Sequence, residues 1–228
     1  MIKFLATHTH NLVIEDISNY LIKSLEKYSN TLWLVSGGSN IPIEVAIMKK
    51  LPSKLTSKLI IALVDERFNK INHPDSNFKQ LIQSGFNIKN ATLLPIITTD
   101  NEDIVSTTKN YNQTIRKLFK EKDTNIIAQL GIGEDGHIAG LLPNSKALTS
   151  KQLVDYFNTT PFNRITLTPR ALAKINQIFV IAINHKKDIT IKTLFDNQNA
   201  NPKIFPATIL QDFPSVYVYN RLIEGQIT

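Results

Sequence analysis

The peptide Gly131-Ile-Gly-Glu-Asp-Gly-His137 carries the residue types best suited to chemistry. It combines three glycines, two carboxylates and one imidazole. An imidazole exchanges protons near neutral pH, and a carboxylate two residues away can orient the ring. Glycines let the backbone approach a ligand closely. We therefore interpret His137 as a candidate general base and Asp135 as its partner. The alternative is a plain turn, of which Asp-Gly is typical.

Further polar clusters follow other predicted strands. Ser36-Gly-Gly-Ser-Asn40 lies between a strand and a helix, where backbone N–H groups can hold an anion. The alternative for this peptide is a simple strand-to-helix turn. Asp65-Glu-Arg67 offers a carboxylate for proton transfer and a guanidinium that can clamp a carboxylate or phosphate. The alternative for Asp65-Glu-Arg67 is an exposed ion pair, which would contribute little to the free energy of folding. Arg164 and Lys187 are candidate phosphate ligands only if the fold brings them close to these clusters.

The elements that must position these residues alternate between strands and helices. Apolar runs predict strands at residues 31–36, 59–64, 92–95, 126–130, 164–168, 177–183 and 215–219. Helices are predicted at residues 12–28, 43–51, 75–82, 102–119 and 186–195. Residues 144–163 form the least regular stretch and are expected to be a loop that borders the site. The alternation predicts an α/β fold with an open, mostly parallel sheet and helices on both faces.

The carboxyl ends of parallel strands share one edge of a sheet, and ligands bind in the crevice there. Clusters that are far apart in sequence are therefore expected to meet at one place. No repeat or flexible linker divides the chain, so we predict one domain over residues 1–228.

Composition narrows the possible partners. The 228 residues are 42% hydrophobic and 20% charged, which suits an ordinary globular core. The absence of cysteine excludes disulfides, thiolate metal sites and cysteine nucleophiles. The net charge of +7 comes from scattered lysines without a nucleic-acid-binding signature, so we expect no nucleic acid partner. No signal peptide or apolar run of about 18 residues is present, so we expect a cytoplasmic protein without a membrane partner.

Other active-site types fit the sequence poorly. Gly131 to Gly136 matches G-x-G-x-x-G, but the carboxylates of Glu134 and Asp135 would oppose a pyrophosphate, so a dinucleotide site is disfavoured. His8-Thr-His10 lacks a third ligand, so we predict no metal site. The G-x-S-x-G peptide of many serine hydrolases does not occur.

Taken together, the clusters resemble the 6-phosphogluconolactonase family, within a wider group that includes glucosamine-6-phosphate deaminases. The matching peptides lie in the family's order and span most of the chain: Ser36-Gly-Gly-Ser39, Asp65-Glu-Arg67, Asp75-Ser-Asn77, Gly131 to His137 with Leu142-Pro143, Arg164-Ile-Thr-Leu-Thr168 and, more loosely, Phe205-Pro-Ala-Thr208.

The resemblance implies a Rossmann-like sheet and hydrolysis of 6-phosphogluconolactone in the oxidative pentose phosphate pathway, without an organic cofactor. It implies that His137 is the general base on water, with Asp135 beside it. By the same resemblance, Asp65 and Arg67 are the acidic and basic members of the catalytic site. The implied sugar-phosphate contacts are Gly37, Gly38, Ser39, Asn40, Arg164 and Lys187.

The deaminase branch differs at positions that the sequence shows. Its members typically have Tyr where this chain has Arg67, and Phe-Asn-Glu where this chain has Gly140-Leu-Leu142. Lactonase chemistry is therefore favoured. Asn40 and Asn184 depart from the lactonase pattern, which puts the phosphate pocket and the substrate preference in question. An amino-sugar-phosphate isomerase or deaminase and a non-catalytic sugar-phosphate-binding protein stay open as alternatives. The sequence does not determine whether the protein is a monomer or a dimer.

Overall fold

The computed structural model describes residues 1–71, 73–197 and 199–227. The strands of this part are β1 Ile2–Ala6, β2 Asn30–Val35, β3 Leu59–Leu63, β4 Asp65–Phe68, β5 Thr92–Leu94, β6 Thr124–Gly131, β7 Val154–Phe157, β8 Asn163–Leu167, β9 Gln177–Ala182, β10 Val216–Asn220 and β11 Gly225–Ile227. Its α-helices are α1 His10–Lys27, α2 Ile41–Lys50, α3 Asn77–Gln83, α4 Ile104–Leu118, α5 Pro169–Leu172 and α6 Asp188–Asp196.

The larger sheet has eight strands in the order β11-β1-β10-β9-β6-β2-β3-β5. Every pairing is parallel except that of β11 with β1, so the predicted mostly parallel sheet is confirmed. The central strands β2, β6 and β9 are buried along nearly their whole length. Continuous apolar runs are typical of strands covered on both faces. β1 and β11 have no counterpart in the sequence prediction.

The order of connections explains where the sheet opens. From β1 through β2 and β3 to β5, each step moves toward one edge, and from β5 through β6 and β9 to β10 each step returns. Crossovers between parallel strands are right-handed, which assigns α1, α2 and α3 to one face and α4 and α6 to the other. The direction reverses between the neighbours β2 and β6. Ligands of open α/β sheets bind at such a topological switch point.

A second, antiparallel sheet has the order β4-β8-β7 and corrects two predictions. Asp65-Glu-Arg67 is predicted to stand at the end of the strand 59–64, but these residues begin a new strand, β4, and pair with β8. Residues 144–163 are not a structureless loop, because they include β7 and a short 3-10 helix, Lys146–Thr149. Both strands are held by antiparallel pairing with β8, a long-range interaction that local sequence patterns do not contain.

The buried hydrophobic residues form one cluster that joins the two sheets, with Trp33 and Phe179 from the larger sheet and Ile165 and Leu167 from the smaller. This continuity supports the single-domain prediction, which stays a prediction. Across residues 1–71, 73–197 and 199–227, no helix is both long and apolar enough to cross a membrane.

Candidate active site

A cleft of about 220 Å³ opens at the switch point between β2 and β6, with the small sheet forming one wall. It brings together most of the residues that the sequence singled out. Those that line it are Gly37, Gly38, Ser39, Asp65, Arg67, His137, Arg164 and Lys187. Residues from five separate parts of the chain therefore meet at one cleft. Those after β2, β6 and β9 lie at the carboxyl edge of the parallel sheet, as predicted, whereas Asp65, Arg67 and Arg164 come from the small antiparallel sheet.

His137 and Asp135 form a pair at the end of β6. The Nδ1 atom of His137 lies 2.6 Å from Oδ1 of Asp135, and the same oxygen accepts the His137 backbone N–H at 3.1 Å. The hydrogen bond from His137 is the main reason that the pKa of Asp135 is lowered to about 2. An ionised Asp135 accepts a proton-bearing Nδ1, which leaves Nε2 as the ring nitrogen that can take up a proton. Asp135 stands behind the imidazole and does not line the cleft.

Two glycines make this arrangement possible. A Cβ on Gly133 would lie 2.0 Å from Nδ1 of His137 and 2.4 Å from Oδ1 of Asp135. Gly136 has a φ of +79°, and a Cβ there would lie 2.3 Å from the ring of Phe205. The His–Asp pair therefore rests directly on the backbone of its own loop. The glycines of the loop serve packing and turn geometry.

Replacing Gly133 with alanine is expected to displace the imidazole while leaving the sheet intact. A misplacement of about 1 Å in an active site can cost roughly 10²-fold in rate. We expect a loss of that order in kcat on the substrate proposed below, with cooperative thermal unfolding retained. Steady-state kinetics and a melting curve on the same sample measure both quantities. A Gly133→Ala protein with unchanged kcat would show that the close packing has no catalytic role.

The small sheet presents two arginines side by side. Arg67 on β4 is the cross-strand partner of Arg164 on β8. Like charges that face each other across strands destabilise a sheet. Nη1 of Arg164 lies 3.3 Å from Oδ2 of Asp65, and Nη1 of Arg67 donates to the carbonyl oxygen of Asp75 at 2.8 Å. One carboxylate thus faces two guanidiniums, and Lys187 adds a third positive group to the cleft. This surplus of positive charge suits an anionic ligand.

Alternation along β4 separates the roles of neighbouring residues. Successive side chains of a strand point to opposite faces, so Asp65 and Arg67 face the cleft together while Glu66 points away. Glu66 accepts the backbone N–H groups of Asn77 at 2.7 Å and Phe78 at 3.0 Å, which caps the start of α3. In Asp65-Glu-Arg67, the first and third residues therefore belong to the site, and Glu66 between them caps a helix.

Asp65 is a buried acid at the centre of this wall. Burial raises its pKa, and the positive charges of Arg164 and Arg67 act in the opposite direction. Gly140 allows the loop after β6 to approach, because a Cβ there would lie 3.1 Å from Cβ of Asp65. The carboxyl group of Asp65 is thereby fixed between Arg164 and the loop that carries His137.

The loop after β2 faces the cleft through Gly37, Gly38 and Ser39. Oε1 of Glu44 accepts the backbone N–H groups of Ser36 at 3.0 Å and Gly37 at 3.3 Å. Since these two N–H groups are already engaged, an anion bound here would use those of Gly38 and Ser39. The short 3-10 helix Gly38–Asn40 runs directly into α2, whose N-terminal end also favours negative charge.

Asn40 does not lie where a substrate-contacting residue would. It is 2% exposed, and its Nδ2 donates to Oγ of Ser36 at 2.9 Å. This hydrogen bond links the two ends of the β2 loop, and Asn40 does not line the cleft. Conversely, Asn77, Ile132 and Ala139 line the cleft without having been predicted to do so. Asn77 belongs to the matching peptide Asp75-Ser-Asn77 and to the helix predicted at residues 75–82, whereas nothing in the sequence distinguishes the two apolar residues.

Glu44 is fully buried beneath the β2 loop. Burial raises its pKa from 4.5 to about 7, although its hydrogen bonds from Ser36 and Gly37 oppose the shift. The folded chain therefore holds this proton at pH values where the unfolded chain has lost it. The free energy of unfolding consequently falls as pH rises from about 4.5 to about 7, by roughly 3 kcal/mol for this group.

Glu44→Gln is expected to remove that part of the pH dependence, because the amide oxygen still accepts the two N–H groups and cannot ionise. Relative to wild type, the variant should gain about 3 kcal/mol between pH 4.5 and pH 8. Urea unfolding at both pH values measures the difference, which isolates Glu44 from the other carboxyl groups. Parallel stability profiles for the two proteins would show that Glu44 is ionised in the folded state.

Potential metal ligands are not clustered here: within the ranges described above, no group of three or more His, Asp or Glu side chains is placed to hold an ion.

Comparison with known proteins agrees with this geometry. A family model for glucosamine-6-phosphate isomerases/6-phosphogluconolactonase matches residues 6–217. A 6-phosphogluconolactonase from Helicobacter pylori is 28% identical over 200 residues, covering 82% of this chain and 83% of that protein. A glucosamine-6-phosphate deaminase from Staphylococcus saprophyticus is 29% identical over 144 residues, or 57% of each protein.

Among solved structures, a 6-phosphogluconolactonase from Thermotoga maritima matches with a TM-score of 0.78 and 21% sequence identity, covering 96% of this chain and 99% of that one. At this level of identity the likeness establishes the fold. The activity has to be argued from the cleft.

Proposed function

Because this chain belongs to the glucosamine-6-phosphate isomerase/6-phosphogluconolactonase family, we propose that it hydrolyses 6-phospho-D-glucono-1,5-lactone to 6-phosphogluconate. The observation that carries the proposal is the composition of the cleft. A His–Asp pair with one free ring nitrogen faces a wall of two arginines, with a lysine nearby. A proton-transfer group opposite an anion site suits a small phosphorylated substrate. This reaction places the chain in the oxidative pentose phosphate pathway.

In the proposed reaction, Nε2 of His137 removes a proton from a water molecule as its oxygen attacks the lactone carbonyl carbon. The carbonyl oxygen becomes an oxyanion. When the tetrahedral intermediate collapses, the bond to the ring oxygen breaks and that oxygen receives the proton back from His137. Asp135 holds the ring orientation and stabilises the imidazolium during the cycle. A positioned base of this kind contributes typically about 10²–10⁴-fold to rate.

Phosphate binding supplies the orientation. Arg67, Arg164 and Lys187 provide positive charge, and Gly38 and Ser39 provide N–H donors at the head of a helix. Planar guanidinium groups suit bidentate binding of phosphate oxygens. Asp65 acts on this arrangement through Arg164, which it holds by an ion pair. The oxyanion donor is the backbone N–H of Gly38 or the Arg67 side chain, whichever does not hold the phosphate. The N–H of Gly136 already donates to the carbonyl oxygen of Gly133 at 3.1 Å, and that of His137 donates to Asp135.

The deaminase reaction is the second candidate, since the family and one of the relatives above include it. The deaminase branch typically carries a glutamate where this chain has Leu142. Leu141 is fully buried and Leu142 packs against the hydrophobic core, so this segment offers no carboxylate to assist His137. Arg67 in place of a tyrosine also favours the lactonase. The substitution at Asn40 does not support a non-catalytic, sugar-phosphate-binding role, because Asn40 does not line the cleft.

Parallel assays on two substrates discriminate these functions. With 6-phosphogluconolactone, we expect rapid acid release, and with glucosamine 6-phosphate we expect no ammonia. Ammonia release with only spontaneous lactone decay would assign the chain to the deaminases. Tight binding of both substrates without turnover of either would support the non-catalytic role. The cytoplasmic location fits a phosphorylated metabolite and a cysteine-free chain, and it stays a prediction.

A further inference from the structure

A second cleft, of about 400 Å³, lies between the end of α4, the segment before β7 and α5. We call it the basic cleft, because five of its lining residues are cations: Arg116, Lys120, Lys151, Arg170 and Lys174. None of its lining residues is acidic, and it shares no lining residue with the candidate active site. Its volume falls in the range of small-molecule sites.

The positive charge of the basic cleft is not neutralised by the protein. Among the described residues, none of the five cations takes part in an ion pair. The two guanidiniums are held by neutral oxygens instead: Arg116 donates to the amide oxygen of Gln152 at 3.1 Å and Arg170 to the carbonyl of Lys151 at 3.1 Å. Like charges gathered in a concave surface raise the local concentration of anions.

Helix polarity accounts for only part of this cluster. Arg116 lies in the last turn of α4 and Lys174 follows α5, where cations favour the helix dipole. Lys151 belongs to neither helix, and it brings its charge from the segment before β7. Phe119, which is half-buried, and Leu153, which is buried, also line the cleft. They give it an apolar surface beside its cations. Convergence of charges from three segments on one concavity indicates a ligand.

We propose that the basic cleft binds a chain of two or three phosphates, either as inorganic polyphosphate or as the phosphate chain of a nucleotide. Five cations around one cleft match several phosphate charges better than a single one. The fixed guanidiniums supply paired donors, and the lysines supply mobile point charges. This proposal is independent of the lactonase reaction and concerns a different surface of the chain.

The test is calorimetric titration of the full chain with tripolyphosphate, ATP and AMP at physiological salt. The variant Lys120→Gln/Lys151→Gln/Lys174→Gln removes three exposed charges that make no side-chain hydrogen bond in the described structure. Its matched control is Lys23→Gln/Lys54→Gln/Lys192→Gln, three exposed lysines elsewhere with the same change in net charge. We expect the first variant to weaken tripolyphosphate binding at least tenfold, the control less than twofold, and AMP to bind most weakly.

The nucleotide arm identifies the source of the phosphates. Tighter binding of ATP than of tripolyphosphate would place a base on Phe119, and equal affinities would indicate that the phosphate chain alone is recognised. Equal losses in the two variants would reduce the effect to diffuse net charge and overturn the proposal. An unaffected first variant would also overturn it, because binding would then lie in the active-site cleft. A single-stranded oligonucleotide that binds more tightly than ATP at the same lysines would replace it with a nucleic-acid surface.

Discussion

Replacing His137 with alanine is expected to lower kcat/KM for 6-phosphogluconolactone by about 10²–10⁴-fold, since this is the usual contribution of a positioned general base. The fold should persist. The His137 side chain is 34% exposed and packs on Gly133 rather than in the core. Initial rates measured against the spontaneous reaction give the effect, and a melting curve verifies the folded state. Near-normal turnover in folded His137→Ala protein would remove His137 from the mechanism.

Asp135→Asn tests whether Asp135 acts through the His137 imidazole. The substitution keeps the size of the side chain and removes the charge that selects a proton-bearing Nδ1. If the two residues act as a unit, the double variant with His137→Ala should be no slower than His137→Ala alone, because groups that work together are non-additive. Multiplicative losses would show that Asp135 acts independently of the imidazole.

Arg164→Ala is expected to have two separable effects. It removes a phosphate-binding group, so KM for the phosphorylated lactone should rise about 10- to 100-fold, as for loss of a charge-assisted hydrogen bond. It also leaves Asp65 buried without its partner, which should cost about 3 kcal/mol of stability. Steady-state kinetics and urea unfolding report on the two effects independently.

The double variant Asp65→Asn/Arg164→Ala separates binding from stability. Asparagine removes the unpaired charge, so most of the lost stability should return while KM stays high. Unphosphorylated glucono-1,5-lactone serves as the substrate control, because its turnover should change little with Arg164→Ala. An unchanged KM for the phosphorylated lactone in a folded Arg164→Ala protein would move the phosphate site away from the small sheet.

Much of the fold follows from local sequence. The apolar run before Gly131 predicts a buried strand, and the structure has β6 there, with the His–Asp loop directly after it. The alternation of such runs with helical patterns predicts the parallel sheet, and strand polarity then requires the clusters after β2 and β6 to share one edge. Much of the candidate site can therefore be predicted from the sequence without knowledge of any contact.

The rest depends on pairings between distant segments. β4 follows β3 after a single residue, so the sequence suggests a strand end where the structure starts a new sheet. The proximity of Arg67 to Arg164 exists only in the register of β4 against β8. Asn40 occupies a motif position associated with substrate, yet packing turns its amide toward Ser36. Glu44 resembles an ordinary surface acid of a helix until the β2 loop covers it.

The proposed function depends on catalysis of lactone opening in this cleft. The most direct test is the initial rate of hydrolysis of freshly generated 6-phosphogluconolactone, with and without the chain, in one buffer at neutral pH. We expect a saturable rate far above spontaneous ring opening, which falls back toward the spontaneous rate in His137→Ala. A rate that is indistinguishable from the spontaneous reaction at micromolar concentrations of folded chain would contradict it.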